Sequence, residues 1–506
     1  MSQISAKSAK FIRAISLILT VVIFTAGFLG ILTSCGEETQ NNNSNAPANT
    51  DESSDVPDES SENVKEPENI LTSPNLPDTN WNGKAATFLV RGPEFVEWQS
   101  QDIYVAEENG EPVNDAVYKR NAILEERYNF FIKEVHGTGS IQSMAEKSIL
   151  AGDNSYQVVM CNTQETNNLA MKGLLSDLRQ VNYLDLSREY WDQNSIYGFT
   201  VGGKTLFMTG DLSIMANDAT WIFMFNKKLL QDLQLEDPYA LVKDGKWTAD
   251  KVLEMMKSTS KDLNGDGTMK GTDDQYGLAT HDSTYDGLFF SMGMRVSDIN
   301  SEGYPELSMN NERIIKAMEK TAQIMDKEIT YNADWQLIAS CFEEDRALFY
   351  GEVLQCVIRR RNMDTDFGVL PLPKLDEAQA DYAHMVHVTA CMVGLPNSLA
   401  EDEAEFTGFV LESLAAESRN YLVPAYYTTA LEGKFMRDEE SKAMLDIILR
   451  TRRYDLGYAT GWGGLFTGYI NSVKKGNTDF ASVWEKYSEK TVTAMDKAVT
   501  AYMDID

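Results

Sequence analysis

Cysteine is scarce in this chain, five among 506 residues, and histidine scarcer still at four. No CxxC pair occurs, and Cys161, Cys341, Cys356 and Cys391 stand far apart. That excludes the common zinc patterns and a disulfide-stapled scaffold, and the expected state is buried, apolar thiols. His384 and His387 are the one close histidine pair. In an extended segment, residues three apart face opposite sides, which argues against a shared metal. Positive charge also runs short: 45 Lys and Arg against 77 Asp and Glu give a formal net charge of -32. Nucleic-acid binding needs clustered cations and is excluded, as is a chain lying flat on anionic lipid. Such acidity keeps a surface soluble and self-repelling. The GxSxG, HExxH, GxGxxG and P-loop sequences are missing as well. No enzyme is expected, although the two facing carboxylates of a glycosidase would leave no local motif to find.

What is present is a normal globular mixture, 43% hydrophobic and 24% charged, long enough for two or three domains. Lys7, Lys10 and Arg13 precede an uncharged run from Ala14 to Ser34, the order of an export signal. The run ends in Leu32-Thr33-Ser34-Cys35, which resembles the lipobox of bacterial lipoproteins. That resemblance implies cleavage before Cys35 and a lipid on its sulfur. The alternative, an uncleaved membrane-spanning helix, fits the run's length but does not need this ending. Either way the rest of the chain lies outside the cytoplasm. Residues 36–80 read as a disordered acidic linker. Ten acidic residues and one lysine fall between Gly36 and Ile70, too little apolar surface to offset the entropy of ordering. A long charged tether of this kind suits a single-membrane, Gram-positive cell.

From Trp81 onward, strands and helices alternate. Ala85–Val90, Phe130–Val135 and Tyr156–Met160 read as strands, and Asn114–Asn129 and Ile141–Ala151 as the helices between them. Such alternation indicates βαβ units and a parallel sheet. Trp221–Phe225, Phe367–Leu372 and Val388–Gly394 read as further strands, a helix starts at Thr248, and the chain is mostly helical after Glu401.

Several segments in order resemble the extracellular solute-binding lipoproteins of ABC importers, the family 1, maltose-binding-protein-like group. They are Gly202–Gly210, Trp221-Ile-Phe-Met-Phe-Asn-Lys-Lys-Leu-Leu230, Gly245-Lys-Trp-Thr248, Phe342–Glu352 and Phe367-Gly-Val-Leu-Pro-Leu-Pro-Lys374. The resemblance implies an α/β, two-lobed periplasmic-binding-protein-like fold of type II, its hinged lobes closing on a ligand. Lobe 1 would comprise 81–212 and 386–432, lobe 2 213–385 and 433–506. It further implies a monomer that captures a small solute, a carbohydrate first of all, and hands it to permease subunits. A receptor presenting its ligand to a membrane sensor, or a carbohydrate-active enzyme, would be the alternatives.

Sugars present apolar C–H faces and a rim of hydroxyls, so aromatics, carboxylates and amides near strand ends are the candidates. These are Trp98, Asn162, Thr163, Asp211 at the expected hinge, Tyr285, Tyr350 and Trp462. The last is flanked by Gly461 and Gly463, which would let a ligand approach the backbone. Each aromatic has a core residue as its alternative. A structural calcium is expected at Asp262, Asn264, Asp266, Thr268 and Asp273, whose oxygens have EF-hand spacing around Gly267. Lys270 and the short Asp273 depart from that pattern, and an ordinary Asx turn is the alternative.

Overall fold

The computed structural model describes residues 71–431 and 439–505. Cys35, the export signal and the linker to Ile70 lie outside the described residues. The described residues form one compact unit built on two sheets. The first has the order Cys391–Gly394, Val158–Asn162, Lys84–Arg91, Phe130–Gly137. Its three earlier strands are parallel and Cys391–Gly394 runs against them. The helix Pro112–Tyr128 makes the first crossover. Proline sits in its opening turn, and Asn129 ends it in the left-handed conformation at φ 51°. Buried Arg120 on this helix donates to Ser418 Oγ and to the carbonyls of Asp102 and Ile103, which pins the segment after Trp98.

The second sheet has the order Thr330–Asn332, Tyr276–Thr280, Ala347–Val353, Trp221–Asn226, Phe367–Leu370. Its first three strands are parallel and the last two run antiparallel to their neighbours. Trp221–Asn226 is buried at all six positions, as a central strand covered on both faces must be. The segment resembling a strand over Phe342–Glu352 begins as a helix instead. Trp335–Glu343 is helical and the strand starts at Ala347, because Asp345 turns the chain with φ 58°. All four described cysteines are buried and free.

One hydrophobic core surrounds the second sheet and two pack the faces of the first. The C-terminal stretch, expected whole in lobe 2, is shared between them. Phe466, Tyr469 and Phe480 pack on the second sheet, whereas Trp462, Met495, Ala498 and Tyr502 pack with Leu89, Val159 and Cys161 of the first. The helix Phe480–Met503 therefore runs from one lobe to the other. Among the described residues no helix is long and apolar enough to cross a membrane.

Candidate functional site

Loops that leave the carboxyl ends of parallel strands are where α/β sheets place ligands, and here those ends from both sheets face one cavity. Glu97 and Trp98 follow the strand Lys84–Arg91. His281 follows Tyr276–Thr280, Trp335 follows Thr330–Asn332, and Glu352 and Val353 close Ala347–Val353. Trp221 begins an antiparallel strand, paired with Val353, so it lies at the same end. These side chains, with Arg359, His387 and Thr389, enclose about 280 Å³. A larger cavity of about 780 Å³ adjoins it, sharing Glu97 and Arg359 and walled by Tyr104, Asn114, Asp218 and Tyr426. Glu97 pairs with Arg359 across the lobes at 2.6 Å. Asp102 fixes the first lobe's loop by accepting from Ser100 Oγ, Ser213 Oγ and the Ile214 amide at 2.7–3.0 Å.

The inner cavity combines flat rings with polar edges. Trp221 meets His281 edge-on, ring centres 5.1 Å apart, and tilts toward His387 at 6.1 Å. Its indole N–H is buried and has no acceptor. His281 Nε2 lies 2.7 Å from Glu352 Oε2. Burial opposes the imidazolium, but the hydrogen bond and charge of Glu352 outweigh it and raise the His281 pKa. Burial pushes His387 the other way, down to about 4. In the outer cavity Asn114 Oδ1 and Thr429 Oγ1 are buried without partners. Burial raises Asp218 to about 7, and its Oδ1 accepts from Tyr426 Oη at 2.9 Å.

Of the residues expected from sequence, Trp98 lines the inner cavity. Asn162 and Thr163 lie next to it but serve the backbone. Asn162 Oδ1 caps the helix Thr163–Met171 through the Glu165 amide, and Thr163 binds the carbonyls of Val388 and Ala390. The other four are elsewhere. Asp211 pairs with Arg419 at 3.0 Å in a cavity of about 440 Å³ that shares Ile214 and Tyr426 with the outer cavity, where burial raises it to about 6. Tyr285 lies under Lys474, 5.3 Å from ring centre to Nζ, beside Tyr331 in a fourth cavity. Tyr350 is a core residue, 1% exposed, packed on Phe342 and bonded through its hydroxyl to Arg360. Trp462 is also core, 5% exposed. Of its two glycines, Gly461 ends the helix Leu456–Thr460 in the left-handed conformation at φ 63°, and Gly463 serves packing, since a Cβ there would lie 2.4 Å from the backbone of Thr491. The sequence reading missed His281, Trp335, Glu352 and Arg359, although the rule of strand ends would have found the first three once their strands were placed.

The expected calcium loop is closed by its own hydrogen bonds. Asp262 accepts from the Gly265 and Gly267 amides, Asn264 from Asp266, and Asp266 from Thr268. Lys270 forms an ion pair with Asp266. Asp274, rather than Asp273, turns back into the loop and accepts from the Leu263 and Lys270 amides. Among the described residues no three His, Cys, Asp or Glu side chains converge as a metal group.

Two hinged α/β lobes around a cavity at their strand ends define the type II periplasmic-binding-protein fold. Solved structures share it at low identity. The cyclic α-maltosyl-1,6-maltose binding protein of Arthrobacter globiformis superposes with a TM-score of 0.53 at 13% identity, covering 84% of this chain and 99% of its own. A cyclo/maltodextrin-binding protein complexed with maltotetraose gives 0.52 at 13%, covering 83% and 97%. UgpB from Mycobacterium tuberculosis, in complex with glycerophosphocholine, gives 0.51 at 16%, covering 77% and 97%. No family model matches the chain, and no match to a curated protein is found.

Proposed function

We propose that this chain is the extracytoplasmic solute-binding component of an ABC importer, that it captures a carbohydrate by lobe closure, and that a lipid on Cys35 tethers it. The observation that carries this reading is the interlobe cavity walled by the rings of Trp98 and Trp335 above the buried Trp221, with Glu352, His281 and Arg359 as its polar lining. Aromatic faces stack on sugar C–H surfaces, while fixed donors and acceptors select hydroxyls. The glucan ligands of two proteins with this fold support the reading by analogy. Closure is a population shift, because a ligand touching both lobes binds the closed form more tightly. Calorimetry over a panel of mono- and oligosaccharides tests it. The expected result is saturable binding that Trp98→Ala weakens by about 1–3 kcal/mol; no binding by any saccharide would overturn it.

A further inference from the structure

The cavity under Lys474 belongs to the second lobe alone. It encloses about 530 Å³ and is lined by Tyr276, Tyr285 and Tyr331 together with Met269, Ala322 and Met325. All six pack with the core of the second sheet. Tyr276 is 2% exposed and Tyr285 7%, and the Tyr276 and Tyr331 rings lie 5.5 Å apart, tilted by 32°. A tyrosine so far buried normally finds a partner for its hydroxyl. Among the described residues none of these three hydroxyls has one. Nor is any of them sealed from solvent, so their open ends give onto the cavity. Burial raises all three, Tyr276 to about 12, so each keeps a proton to donate. The charges on the wall are already engaged. Lys474 pairs with Asp282 at 2.8 Å and Lys327 with Glu328 at 3.6 Å, while Asp326 accepts from the Glu328 amide at 3.0 Å.

We propose that this cavity is a second saccharide site, outside the interlobe cleft, which takes a neutral sugar unit against the tyrosine rings. Phenol faces cover the C–H side of a pyranose, and hydroxyls that both donate and accept suit its rim. With the wall charges engaged, an uncharged solute fits where an ionic one would lack a partner. Binding here needs no closure, because one lobe supplies every contact. The site also adjoins the cleft. Asn332 lines it and donates at 2.8 Å to Asp282, the neighbour of His281 on the inner cavity. A saccharide held here meets the open cleft at raised local concentration. This inference shares the sugar class with the proposed function but not its site.

The test is saturation-transfer NMR on the detergent-solubilised full chain with neutral mono-, di- and trisaccharides of glucose, galactose and mannose. At least one should still bind Trp98→Ala, whose cleft is impaired. Combining Tyr276→Phe with Tyr285→Phe should weaken that binding by about tenfold, the worth of two hydrogen bonds. The apo melting temperature of the double variant should be unchanged or raised, since the lost hydroxyls had no protein partner. A clear fall would mean that they serve the fold through bound water, and would overturn the inference. Should the double variant fail to fold, Ala322→Phe fills the cavity, leaves the tyrosines in place and should abolish the same binding. Saccharide binding that Trp98→Ala abolishes and the cavity variants leave intact would overturn the inference and leave the cleft reading standing. Binding that only the cavity variants abolish would do the reverse. Silence from every saccharide would overturn both.

Discussion

Protonating His384 or His387 places a charge in the protein interior. His384 Nδ1 lies 2.7 Å from Thr451 Oγ1 and its Nε2 has no partner. Burial, reinforced by the charge of Arg453, lowers its pKa to about 3. The folded value lies below the unfolded one, so the unfolded chain takes up the proton first. Stability contributed by neutral His384 is therefore present above about pH 6.5 and lost as pH falls toward about 3. His384→Asn retains a donor for Thr451 and does not titrate. Denaturant unfolding between pH 7 and about 4 should show the native chain losing stability faster than this variant; parallel curves would mean that His384 is solvated. The two tryptophans make a second contrast. Trp462→Ala should cost about 3–5 kcal/mol of apo stability, the range for a truncated core aromatic, whereas Trp98→Ala, at a half-buried ring that also packs against the cores, should cost less stability and weaken binding. Both measurements use the same unfolding and calorimetry. Flanking glycines made Trp462 look like a ligand platform, and local sequence could not separate that from close helix packing. His281 and Glu352 were invisible for the opposite reason: each is a single polar residue after a strand, and only tertiary register brings them within 2.7 Å.

At the scale of elements, length and periodicity decided what was legible. Pro112–Tyr128 and Ile141–Ala151 repeat their buried residues at helical spacing over eleven or more positions. Tyr276–Thr280 is five residues containing glycine and alanine, and it follows a turn-rich loop, so no local preference announced it. That loop supplies the third prediction. We propose that calcium enters at Asp262, Asn264 and Asp266, supported by their oxygen spacing and by Asx turns that already shape the backbone. The ion would have to displace Lys270 from Asp266. Calcium should raise the melting temperature, more so in Lys270→Gln, and not at all when Asp262→Ala and Asp266→Ala are combined. Coincident melting curves in calcium and chelator would assign the residues to the turn alone.

For the whole molecule the alternation of elements suggested βαβ units and a parallel sheet, and the two α/β lobes followed from the resemblance of several segments, in order, to the solute-binding proteins. The division of the C-terminal stretch was not legible, since an apolar helix face does not say which core it covers. Attachment to the membrane is tested on the intact chain in a bacterial host. Cys35→Ala should abolish incorporation of labelled fatty acid and leave a longer precursor; label on the variant would exclude Cys35 as the lipid site.

The helix Phe480–Met503 is a pin through both leaves of a door. Its first turn is held in one lobe by Phe480 and Val483, its far end in the other by Met495 and Tyr502, whose hydroxyl donates to Asn167 Oδ1 at 3.0 Å. Twenty-four helical residues span about 36 Å and barely stretch. If the proposed lobe closure occurs, a helix held at both ends turns it into a torsion about this pin rather than a slide along it. Spin labels at its two ends should keep their separation while a pair across the Glu97–Arg359 gap changes, and the energy of the swing should reside in side chains rubbing past the pin.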